Sequence, residues 1–256
     1  MHEGLLLKQE LLCEELKNRI VGQIYCFKVE MAEMALGYGS EFQLLRYLGH
    51  HRNYLNNEIK RIIGDGEIEW LDYPKDLSRD SRDGEFKDIK CFNRLSNYKE
   101  IERRWVMFWP QRGNAHNWDG IFTQNGIWYF VEAKANLEEA NQECSAKSEE
   151  SKNKIIKAFE DTCGSRSLAE EWLRSHSYQL ANRLAFIHFC EQVGVNAKLL
   201  YISFINGYDV NYRKNVCDSK NWIEKWDDEY DKLQLSDELK KKIYHVYLDC
   251  HKDGFE

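Results

Sequence analysis

Apolar residues spaced three and four apart recur through residues 3 to 34, which are rich in Leu, Glu, Lys and Met, and this periodicity predicts a helix ended by Gly37 and Gly39. A second helix is expected from Ser40 to Gly64. It opens on S-E-F-Q, a capping-box spacing, and continues through Phe42, Leu45, Leu48, Leu55, Ile59 and Ile62. From Asp65 to Asn97 the chain is charged and turn-rich, most of all in DYPKDLSRDSRDGEFKD, and reads as an insertion or irregular lobe. RWVMFWPQ (104–111) is a short apolar run of the kind that forms a buried strand.

Residues 118–135, WDGIFTQNGIWYFVEAKA, alternate as two strands around an Asn-Gly turn. A polar stretch from Leu137 to Asp161 favours helix, with KNKIIKAFE as its amphipathic part. Ser167 and Glu170 then form a second capping-box pair, opening a long helix that Gly194 closes. AKLLYISFI (197–205) is continuously apolar, as a strand buried on both faces must be. NWIEKWDDEYDKLQL and SDELKKKIYHVYLD are read as outer helices.

The hairpin carries chemistry that a core would exclude. With Asn125-Gly126 as a two-residue turn, Gln124 pairs with Ile127 and the register runs on to set Asp119 opposite Glu132. Cross-strand partners share a face, and Lys134, two residues beyond Glu132, projects to that face as well. Two carboxylates so close repel unless one is protonated or a cation lies between them. Hard oxygen donors suit Mg2+ or Mn2+, with the Ala133 carbonyl as a further ligand and Lys134 beside the activated water.

Asp119, a spacer of twelve residues, then Glu132-Ala133-Lys134 resembles the D-x(n)-(D/E)-x-K signature of the PD-(D/E)xK nuclease superfamily. The resemblance covers about residues 40–205, without the 65–97 lobe. It implies a restriction-endonuclease-like α/β core, a mixed four-stranded sheet flanked by helices, within a single domain bearing helical additions at about 1–36 and 220–250. It also implies metal ligation by Asp119, Glu132 and the Ala133 carbonyl, with Lys134 catalytic. Glu41 matches the additional acidic residue that many members place on the helix before the sheet. Gln179 and Arg183, on the helix before the last strand, match positions that contact phosphate in several members, although solvent-facing helix positions are the commoner role for such residues. Trp118 stands where the motif often has proline.

The expected activity is therefore metal-dependent hydrolysis of nucleic-acid phosphodiester bonds, with DNA as the expected substrate. Two other readings stay open: a non-catalytic nucleic-acid-binding or protein-interaction module on the same fold, and an RNA-directed phosphodiesterase. The substrate also leaves open a homodimer around duplex DNA or a partner subunit.

Composition narrows the setting. A formal charge of −7 argues against coating nucleic acid by charge alone, though not against a locally basic site. Glutamates interspersed among the cations of 94–104 and 147–157 favour solvated helix faces there over the basic walls of a cleft. The eight cysteines show no C-x-x-C spacing and read as reduced thiols, and the adjacent His50-His51 pair has no metal-ligand partner one turn on. No apolar run approaches a membrane span, and the first residues lack a signal peptide's basic start and cleavage site. The expectation is a soluble cytoplasmic protein without a membrane partner. Trp105, Phe108, Trp109, Trp128, Tyr129 and Phe130 are assigned to the core, with Trp118 the aromatic best placed to meet a base.

Overall fold

The computed structural model describes residues 39–73, 86–111, 116–207 and 217–250. The helix expected over 3–34 and the PKDLSRDSRDGE part of the lobe lie outside these residues.

A hairpin organises the sheet. Asn125 and Gly126 both adopt positive φ, 51° and 76°, as a type I′ turn demands. The turn joins β4 (Gly120–Gln124) to β5 (Ile127–Lys134), and the pairing runs from Gln124 with Ile127 to Gly120 with Val131. This is the register that the turn chemistry predicts. On one side β4 pairs antiparallel with the short β1 (Glu69–Trp70). On the other, β5 pairs in parallel with β6 (Ala197–Ile205), and β6 with β7 (Ile243–Asp249). The result is a five-stranded mixed sheet in the order β1-β4-β5-β6-β7. A separate two-stranded ladder joins β2 (Phe86–Lys87) to β3 (Asn117–Trp118).

Helices cover both faces. On one lie α1 (Gly39–His50) and α2 (Arg52–Ile63), whose Leu44, Tyr47, Leu48, Leu55 and Ile59 pack against Phe122, Val131, Ala133, Leu200 and Ile202. The other face is covered by α3 (Tyr98–Phe108), α4 (Glu149–Cys163), α5 (Arg166–Arg174), α6 (Tyr178–Gln192) and α7 (Ser219–Lys232), around Phe130, Leu199 and Tyr201. A single turn, α8 (Asp237–Lys240), precedes β7. Alternation along β5 therefore sends Val131 and Ala133 to the α1–α2 side, and Phe130, Glu132 and Lys134 to the α6 side. Among the described residues, no helix is long and apolar enough to cross a membrane.

Several expectations are corrected. RWVMFW is the end of helix α3, not a strand: Tyr98, Ile101, Trp105 and Phe108 form a stripe at helical spacing that begins upstream of the apolar run. The helix stops because Trp109 is extended before Pro110. Residues 40–64 form two helices parted at His51, where the Arg52 side chain bonds the Leu48 carbonyl at 2.9 Å. The helix expected from Ser167 is likewise two. Ser165, not Ser167, caps α5, and a bond from the Ser177 backbone N–H to Ser175 Oγ (3.0 Å) closes the turn before α6.

The polar stretch from Leu137 yields one 3₁₀ turn (Leu137–Ala140), a link without regular structure and α4. The largest correction is at the C-terminal end. IYHVYLD is not an outer helix but the fifth strand, so the sheet extends beyond residue 205 and has five strands, not four. Its aromatic and β-branched side chains suit a strand, and the charged SDELKKK before it supplies only α8.

Candidate functional site

The β4–β5 ladder ends at Gly120, and the chain bends at Asp119, between β3 and β4. Asp119 still donates its backbone N–H to the Val131 carbonyl (3.1 Å), while its own carbonyl accepts from the Tyr73 hydroxyl. Beyond the ladder's end the N–H of Ala133 has no strand partner on that edge, and the Asp119 Oδ2 atom accepts it at 2.7 Å. In an extended strand the N–H and C=O of one residue point to the same edge, so the Ala133 carbonyl faces the edge where Asp119 sits. Asp119 Oδ1 accepts no hydrogen bond among the described residues.

Glu132 is buried, 2% exposed, on the α6 side of the sheet. Its Oε2 atom lies 3.3 Å from Lys134 Nζ, and its Oε1 atom accepts from the Arg183 guanidinium on α6. Arg183 is itself buried, donates from a second nitrogen to the Asn117 carbonyl at 2.8 Å, and lies over the Trp118 ring with 4.6 Å between guanidinium carbon and ring centroid. Two carboxylates and two cations thus meet at the end of one hairpin. In the β6 register Tyr201 stands beside Glu132 and Ser203 beside Lys134, both buried. Burial, with the Glu132 charge adding to it, keeps the Tyr201 hydroxyl protonated.

Asp119 is pushed up to about 7. Desolvation is the first cause and the Glu132 charge the second; Lys134, the Ala133 N–H and Arg183 pull the other way. Because the folded value exceeds the unfolded one, the native state holds an extra proton between about pH 4 and pH 7, so this group's contribution to stability falls as pH rises through that window. Asp119→Asn removes the titration. Without added metal, its melting temperature should exceed that of the wild type at pH 8 and draw level near pH 4. A difference that is the same at both pH values would mean that Asp119 titrates normally.

Of the residues singled out in the sequence, Asp119, Glu132, Ala133, Lys134 and Arg183 come together. Glu41 does not: it is exposed in the first turn of α1, on the helix pair that covers the opposite face. Among the described residues no third His, Cys, Asp or Glu joins the two carboxylates in a metal-binding group. Gln179 is half-buried one turn before Arg183. Trp118, set aside as a base-stacking candidate, is 1% exposed and serves as the platform under Arg183. Trp105, Trp109 and Phe130 are buried in the core on the α6 side, with Phe108 and Trp128 packed partly buried against it, and Tyr129 is buried in the core on the other face.

The ion pair of Arg183 with Glu132 is the feature of the cluster that the sequence does not announce as a pair. Its signal was present: Arg183 is the one charged residue between Tyr178 and Phe189, a stretch apolar on nearly every face. A helix apolar all round is buried, and a buried arginine requires an anion.

Two carboxylates and a backbone carbonyl on one edge match the donor set of a small, hard divalent ion that keeps some of its waters. Burial first and the Glu132 charge second hold Asp119 above its ordinary value, and a cation between the carboxylates would oppose both. The chain is thus an α/β protein whose mixed sheet carries a charge-balanced cluster at the end of a hairpin. No family model, curated protein or solved structure matches it.

Proposed function

We propose that the chain is a metal-dependent phosphodiesterase of the PD-(D/E)xK type acting on nucleic acid, with DNA as its expected substrate. The observation that carries this reading is the convergence of Asp119, Glu132, Lys134 and the Ala133 backbone on one hairpin end. A core would place apolar groups there. The element order adds support: a helix pair, the antiparallel strands β1, β4 and β5 with β2, α3 and β3 inserted after β1, then helices and a parallel strand, resembles the restriction-endonuclease-like core, with β7 as an added strand.

Asp119, Glu132 and the Ala133 carbonyl would hold Mg2+ or Mn2+, which supplies water activation and charge neutralisation at a scissile phosphate. Lys134, held beside Glu132 on the same face, keeps a positive charge where negative charge builds on phosphorus. Arg183 offers a planar fork of donors that suits a phosphate. Buried Trp118 and Tyr201 flank the carboxylates with low-dielectric surface, which strengthens each of these interactions.

A second reading has its own observation. Both oxygens of Glu132 are already paired, with Lys134 and Arg183, as they would be in a non-catalytic binding module whose hairpin keeps only a structural ion-pair cluster. Calorimetry separates the two. The nuclease reading expects Mn2+ to bind the wild type and Asp119→Ala to lose at least about tenfold in affinity, since even a lost outer-shell partner of a ligand costs that much. Absence of Mn2+ binding by folded wild-type protein would favour the module. Whether DNA or RNA is the substrate is decided by parallel cleavage of single- and double-stranded forms of each.

A further inference from the structure

We propose that Arg183 is a built-in counter-cation, seated on Glu132 until a nucleic-acid phosphate draws it off, so that divalent metal and phosphodiester bind synergistically. The inference rests on the nuclease reading and adds to it a condition under which the site accepts its metal.

Charge comes first. Asp119 and Glu132 are offset by Lys134 and Arg183, so the ionised cluster sums to zero without any metal. A divalent ion entering alone would place two further positive charges beside a buried guanidinium and a buried ammonium, which Coulomb repulsion opposes strongly at low dielectric. A phosphodiester arriving with the ion brings negative charge and gives the displaced arginine an anion to hold.

Geometry indicates which cation yields. Lys134 follows Glu132 by two residues on the same strand, so its place beside the carboxylate is set by the strand itself. Arg183 reaches Glu132 from another element, through a long side chain lying over the Trp118 ring. Its Nε and Nη2 both engage Oε1, the oxygen that Lys134 leaves free. A metal ion using Oε1 must therefore displace the guanidinium. Such a fork is matched as well by a phosphate as by a carboxylate. Trp118 offers a stacking surface over which the guanidinium can pivot without losing all its contacts.

Linkage makes the coupling reciprocal: if phosphate improves metal binding, metal improves nucleic-acid binding by the same factor. The test uses the full chain, in wild-type form and as Arg183→Gln and Arg183→Lys. Mn2+ is titrated calorimetrically into each protein without nucleic acid. The affinity of each protein for a labelled duplex oligonucleotide is then measured by fluorescence anisotropy in Ca2+ and in EDTA. Arg183→Gln is expected to bind Mn2+ about tenfold more tightly than wild type, because the competing cation is gone. The gain in duplex affinity on adding Ca2+ should fall from about tenfold in wild type, within the usual range of coupling energies, to about twofold, below it.

Arg183→Lys retains the charge but not the fork that occupies Oε1, and it carries the test if the glutamine variant does not fold: it should bind Mn2+ more tightly than wild type, by less than Arg183→Gln does, and show a reduced gain from Ca2+. Mn2+ binding that depends on Asp119 but is unchanged or weaker in folded Arg183 variants overturns this inference and leaves the nuclease reading standing. No Mn2+ binding by wild type or variants overturns both.

Discussion

Replacing Lys134 with alanine is expected to lower metal-dependent cleavage at least about a hundredfold, the scale seen when one preorganised charge-stabilising group is removed from an active site. Lys134 is 6% exposed and lies 3.3 Å from Glu132 Oε2, so its ammonium is fixed beside a carboxylate rather than sampling solvent. In water a lone lysine adds little; in a site walled by Trp118 and Tyr201 its field is weakly screened. The substitution also removes one of the two cations on Glu132. With Arg183 still paired to Oε1, the stability loss should stay near about 1–2 kcal/mol, the range for a buried hydrogen-bonding partner removed. Single-turnover cleavage together with urea unfolding checks both halves. A variant that keeps wild-type activity would remove Lys134 from the chemistry.

Arg183→Ala carries the largest expected effect on stability, a loss of about 3–5 kcal/mol, because breaking a buried ion pair from one side strands the other charge. Three contacts go at once: the pair with Glu132, the bond to the Asn117 carbonyl at 2.8 Å and the stack on Trp118 at 4.6 Å. The bond to Asn117 matters beyond its own energy, since it ties α6 to β3 immediately before Asp119. The loss should be smaller at pH 5 than at pH 8. With Lys134 still beside Glu132, an ionised Asp119 leaves the cluster one negative charge in excess, and a protonated Asp119, favoured below about 7, leaves none. Denaturant midpoints at the two pH values measure this, and a change under about 1 kcal/mol at both would mean that solvent already separates the pair.

How much was legible from the chain differs by element, and each difference has a cause. The hairpin was readable to the residue because Asn-Gly selects one turn type and that turn sets every pair to Gly120 with Val131. The convergence of Asp119 and Glu132 followed from that register, although the ladder stops one residue short and Asp119 reaches across by bonding the Ala133 N–H. β7 was not readable. It pairs in parallel with a strand far away in sequence, and nothing local distinguishes IYHVYLD from the amphipathic helix that the preceding lysines suggest. The apolar run from Trp105 to Trp109 imitates a strand on its own; the helical stripe of α3 shows only with Tyr98 and Ile101 included. Glu41 matched a motif position by sequence order alone; a first-turn acidic residue is favoured by the helix dipole whatever its role, and the structure leaves this one exposed. Arg183 was named for its helix, but its partner depends on how α6 packs across β5, which no local pattern states.

The most direct test of the account is cleavage of supercoiled plasmid and linear single-stranded DNA by wild-type protein with Mn2+, beside Asp119→Ala and an EDTA control. The account predicts strand breakage by wild type in Mn2+, none in EDTA, and none by the variant although it remains folded. Folded wild-type protein that leaves both DNAs and a parallel RNA intact across a range of Mn2+ and Mg2+ concentrations would contradict it.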